Sequence, residues 1–173
     1  MRVVEGYADV DDVDDFVAEL DRVGSEFDCA VTALDARYVA GRRHLEAAVE
    51  RANRAFTRDD AIADDRAIEI LLYAAGRRQI SRALEMGVGA GRGPVVVVVD
   101  AGEGVSDDGE PGDEVAAAEA VAALLDPAEV LGTERDEARL CEFFDVPDIE
   151  LAATDASLED LVVERVSLLA IEK

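Results

Sequence analysis

Positive charge is scarce in this chain, and lysine is almost missing. Seventeen basic residues face 41 acidic ones; sixteen of the 17 are arginine, and the single lysine is Lys173. Tryptophan is absent, aromatics make up 5%, and there is one histidine. That leaves little for zinc or triad chemistry. Cys29 and Cys141 stand in apolar surroundings without metal-ligand spacing and read as buried free thiols. The longest apolar run, Pro94 to Val99, is too short to cross a bilayer, and no signal-peptide pattern opens the sequence, so a cytoplasmic protein without a membrane is expected. A formal charge of −24 argues at first sight against nucleic acid.

What is present is a chain of 173 residues, half of them apolar. That suffices for one domain with a real core and excludes a charged disordered tail. Heavy acid enrichment with so little lysine is the composition of a protein working in molar salt. There the Debye length is about 3 Å and carboxylates keep the surface hydrated. An extremely halophilic, archaeal-type origin is expected. Residues 37–92 escape the trend. They carry eleven arginines against eight carboxylates, a net +3, so the remainder carries −27. Two readings fit: arginine stems that pair with helix acids and cover apolar surface, or an anion-binding face.

Hydrophobic periodicity predicts a strand over Val3 to Val10, then a helix from Asp11 to Val23 ended by Gly24 and Ser25. A buried strand follows from Cys29 to Asp35, then an amphipathic helix from Arg42 to Phe56. A second helix, Ala63 to Ala75, is apolar nearly all round and so buried. Gly76 interrupts it, and Arg77 to Met86 resumes with Ile80, Ala83 and Leu84 facing inward. Val95 to Val99 is a central strand. The segment 102–112 reads as a mobile acidic loop. Beyond it, Glu114 to Leu125 is helical, Thr133 caps a helix to about Phe144, Ile149 to Ala153 is a short strand, and Ser157 with Asp160 caps a last helix. The class is α/β (α+β), a single domain over 1–173 with a small mixed β-sheet packed with several helices.

No motif carries catalysis. The glycines from Gly87 to Gly93 follow a helix and precede a strand, the wrong order for a phosphate loop. The acids from Asp107 to Asp113 lack the alternation of a calcium loop. No nucleophile is placed beside His44, and no cofactor is implied. The arginine-rich middle remains. Arg42, Arg43 and His44 lie at a helix N-terminus, which favours anions. Arg77, Arg78, Gln79 and Arg82 lie at a second helix start, with Tyr73 one turn earlier. Arginine forks hold phosphate bidentately and an aromatic face stacks an unpaired base, a combination suited to a single-stranded RNA end. Tyr73 as a core residue is the plain alternative.

Three segments, ALDARYVAGRRHLEAAVERANRAF (Ala33 to Phe56), AIEILLYAAGRRQISRALEMGV (Ala67 to Val88) and LVVERVSLLAIEK (Leu161 to Lys173), resemble the smallest subunit of the KEOPS complex, the archaeal counterpart of the PRPK-binding protein. Arg78, Gln79 and Ile80 form the most specific match; the loop 102–112 departs from the pattern. The resemblance implies a non-catalytic subunit that docks on the complex's atypical kinase/ATPase and captures the 3′ CCA end of tRNA. Other subunits of the complex would then be indirect partners in making N6-threonylcarbamoyladenosine. Leu161, Arg165 and Leu168 on the last helix are the expected kinase face. The competing reading is an adaptor that regulates the kinase without touching RNA.

Overall fold

The computed structural model describes residues 1–102 and 111–171, so most of the expected acidic loop lies outside the described residues. Four strands form one sheet in the order β2-β3-β1-β4. The central strand β3 (Gly91–Asp100) pairs antiparallel with β1 (Arg2–Val10), from Arg2↔Val99 to Val10↔Gly91, and with β2 (Ala30–Asp35), from Ala30↔Asp100 to Asp35↔Val95. Strand β4 is only Asp126–Pro127, against Tyr7 and Gly6. The expected α/β class, a small sheet packed with several helices, is observed, but every described pairing is antiparallel, so the sheet is not mixed in strand direction.

The valine run of β3 is buried on both faces. Val95, Val97 and Val99 join Leu20 and Val23 of α1 (Val13–Phe27) and Ala117 and Val121 of α5 (Glu114–Ala122). Val96 and Val98 face the larger layer, where α2 (Arg42–Thr57), α3 (Arg66–Ala75) and α8 (Leu158–Leu169) pack together. Burying one valine side chain is worth roughly 1.5 kcal/mol or more, so this strand anchors both layers. Gly91 and Gly93 extend β3 beyond the apolar run because β1 keeps its register as far as Val10.

Four local expectations are corrected. Helix α1 runs through Gly24 and Ser25 to Phe27 and ends at Asp28, which takes the left-handed conformation (φ 53°). Gly24 stays because a Cβ there would meet the Cys29 carbonyl oxygen at 2.7 Å. The helix after Gly76 is a single turn, α4 (Ile80–Ala83), continued by a 3-10 turn to Met86. Ala83 is buried there, but Ile80 and Leu84 are 48% and 56% exposed rather than inward. Asp136, not Thr133, caps α6 (Glu137–Phe143) by accepting from the Arg139 N–H. The Thr133 hydroxyl donates instead to Glu129 O. Ile149 to Ala153 is not a strand but part of α7 (Asp148–Ala153), entered from Pro147 with acids in its first turn, an arrangement the helix dipole favours. The capping pair at α8 forms as expected, Ser157 and Asp160 each closing on the other's backbone.

Candidate functional site

The start of α2 holds its own anions. Gly41 offers no capping side chain, and the Arg43 N–H donates to Glu159 Oε1 at 3.0 Å. The Arg43 guanidinium pairs with Asp160 at 2.6 Å, and Arg42 pairs with Glu46 at 3.0 Å. A helix N-terminus does attract an anion here, but carboxylates from α8 fill the place assigned to RNA phosphate. The Arg43 hydrogen bond, reinforced by Ser157, depresses Asp160 to about 2.

His44 is a correction. It is fully buried, with Nδ1 accepting from the Ala40 N–H at 3.2 Å and Nε2–H donating to Ala74 O at 2.7 Å. Its ring lies edge-on to Phe144. Burial pushes its pKa down to about 4, opposed by the bond to Ala74. A neutral, enclosed imidazole with both nitrogens engaged makes no contact with an external anion. Tyr73 is a second correction: at 3% exposure it offers no face to a base. Burial, with the Glu69 carboxylate adding to it, raises its pKa. The helix that carries it is apolar around most of its surface, as its composition requires.

The second basic group is better placed. Gly76 (φ 59°) ends α3, its N–H donating to Tyr73 O and the Arg77 N–H to Leu72 O. That left-handed residue turns the chain at once and delivers Arg77, Arg78, Gln79 and Arg82 to one corner. Arg77 donates to the Phe143 carbonyl and lies over the Phe143 ring, 5.2 Å from its centroid. Phe143 meets Tyr38 edge-to-face at 5.2 Å, and Arg139 covers the Tyr38 ring at the same distance. Arg77 and Arg139 thus flank the contacting pair of rings, Phe143 and Tyr38. With them, Arg82, paired with Glu85 at 2.8 Å, lines a cleft of about 300 Å³. Glu142 and Asp145 complete the rim. Arg78 and Gln79 are exposed beside the cleft but do not line it. Tyr38 and Arg139 were absent from the sequence-based set. Arg139 lies outside the arginine-rich segment, and no spacing links it to Tyr38.

The proposed kinase face fares unevenly. Leu161 is buried in the contact between α8 and α2, so it is a core residue and a third correction. Arg165 is tied to Glu150 at 2.7 Å, and Leu168 is exposed. Among the described residues, no cluster of His, Cys, Asp and Glu is arranged to hold a metal, and no helix is long and apolar enough to cross a membrane.

The cleft offers guanidinium groups for an anion and, where Arg77 and Arg139 lie over the Phe143 and Tyr38 rings, guanidinium planes for a flat group, with three carboxylates limiting how much negative charge it tolerates. That is the chemistry of recognition. No curated protein matches the chain. A family model described as kinase binding protein CGI-121 matches residues 7–170. The chain belongs to the CGI-121 family of kinase binding proteins.

Proposed function

We propose that this chain is a non-catalytic accessory subunit of the KEOPS complex. It binds the complex's atypical kinase/ATPase and the 3′ CCA end of tRNA, supporting N6-threonylcarbamoyladenosine formation beside the anticodon in the cytoplasm of a halophilic archaeon. The kinase half of the reading rests on the family. The RNA half rests on one observation: the cleft in which Arg77 and Arg139 stack on Phe143 and Tyr38, with Arg82 also in its lining. A single-stranded end presents phosphate and unpaired bases together, and such a cleft answers both. Stacking is worth about 1–3 kcal/mol per base, and it is the part of the interaction that molar salt weakens least.

The test is tRNA binding with and without the CCA end, using the wild-type chain, Arg82→Glu and Arg139→Ala. Loss of binding on CCA removal, with both variants weakened by about tenfold or more, supports the reading. Kinase binding that persists while CCA removal changes nothing identifies the adaptor that touches no RNA. The carboxylates Glu85, Glu142 and Asp145 around the cleft are the observation favouring that second reading.

A further inference from the structure

The outer side of β2 forms the floor of an apolar groove of about 600 Å³, which adjoins the arginine cleft at the turn where Leu84 lies between Arg82 and Glu85. Val13 and Val17 of α1 form one wall, Ile68 and Leu71 of α3 the other, and Leu84 and Val88 close one end. Val17 and Leu84 are exposed, as is Ile80 one turn before Leu84, so apolar side chains gather here at the surface. A contiguous apolar patch rimmed by polar groups marks an interaction surface.

The rim specifies the charge of the occupant. Asp14, Asp21 and Asp65 border the groove, and among the described residues no basic one lines it. Asp21 and Asp65 are near enough to repel, which together with the larger effect of burial raises the Asp21 pKa. A cation brought by a ligand relieves that repulsion. The depth specifies the mode of entry. Val31 and Thr32 on the floor are only 5% and 6% exposed, so the strand's backbone lies too deep for another strand to add to it. Side chains must enter from above, as in helix-in-groove recognition. A second copy is a poor occupant, because a twofold contact sets the patch against itself and acid against acid.

We propose that this groove docks an amphipathic helix of a partner protein, with its apolar face inserted between α1 and α3 and flanking arginine or lysine residues against Asp21 and Asp65. The inference draws on family membership only in expecting a protein partner, and it is independent of the RNA reading.

The probe is a synthetic helical peptide with leucines at i, i+3, i+4 and i+7 and arginines on both flanks. Its control has glutamates in place of the arginines. Binding to the full chain is measured by fluorescence anisotropy, and the contact is mapped by amide shifts of the labelled chain. The arginine peptide is expected to bind about tenfold or more tightly than its control. Its shifts should fall on α1, α3 and residues 84–88, and Val17→Glu and Leu84→Glu should each weaken it by a similar factor. Both positions are exposed, so an unchanged circular dichroism spectrum verifies the fold. Asp21→Asn should narrow the gap between the two peptides. Equal affinities for the peptides, no effect of Leu84→Glu, or shifts confined elsewhere overturn the proposal. So does a dimer in sedimentation that Leu84→Glu dissociates, since the groove would then serve a second copy. Binding of tRNA with and without its CCA end is measured on the same variants, and retention of CCA-dependent binding in these cases separates failure here from failure of the RNA reading.

Discussion

His44 titrates far from its ordinary range because folding encloses it. Its pKa falls from 6.5 to about 4, so the native state refuses a proton that the unfolded chain accepts. The contribution to stability is therefore complete above pH 6.5 and is lost as pH falls toward 4, by roughly 3 kcal/mol in total. His44→Leu should flatten this part of the stability–pH profile, measured by urea unfolding between pH 4 and 7. It should also lower stability at pH 7 by about 1–3 kcal/mol, since the Ala40 N–H and Ala74 C=O lose their partner. The same residue shows the limit of reading a site from sequence. Arg42, Arg43 and His44 are adjacent in the chain, yet two point outward to acids and one is sealed in the core. Helical geometry alone separates them by about 100° each, and which one faces inward is decided by α3 and α6 packing over the third. The arginines at 77 and 82 were legible from composition. Tyr38 and Arg139 were not, because they meet only where α6 packs on the turn after β2, a tertiary contact.

At the level of single elements, α8 depends on its first turn. Ser157 and Asp160 form a capping box, and Asp160 also holds Arg43 of α2. Ser157→Ala is expected to cost about 1 kcal/mol in urea unfolding. Asp160→Asn should cost more than the cap alone, and a double-mutant cycle with Arg43→Ala reads out the share carried by the interhelical pair. Gly76 makes a complementary point. Its would-be Cβ finds only ordinary contacts at 3.7 Å and beyond, so Gly76→Ala should cost about 1 kcal/mol from the left-handed backbone and not from a clash. Long periodic elements were legible in the sequence: β1, α2, α3, the valine run of β3 and the cap of α8. The short ones were not. Alternation in Asp148 to Ala153 suits a strand as well as one helical turn, and Pro147 at the entry decides it for the helix. Gly24 read as a breaker because its close approach to Cys29 is invisible in one dimension.

For the molecule as a whole, the charge of −24 is the dominant long-range force. Many of the described ion pairs join two exposed side chains and are individually weak, so they do not offset the mutual repulsion of the carboxylates. Melting temperature should therefore rise as potassium chloride is increased from about 0.1 M to about 1 M, where screening shortens from roughly 10 Å to 3 Å. A flat or falling melting curve by circular dichroism would remove the salt-adapted reading of the composition.

The placement of β3 also bears on how the chain is made. Its two long partners are β1, whose Arg2 pairs with Val99, and β2, whose Ala30 pairs with Asp100. No ladder can close until about a hundred residues have left the ribosome, and loop closure over such separations is slow. Until then β1 and β2 wait as unpaired edges, and the emerging valine run is the most aggregation-prone stretch of the nascent chain. A sheet centred on its last long strand makes synthesis a period of exposure, one that the acidic helix α1 between β1 and β2 helps the chain to survive in solution.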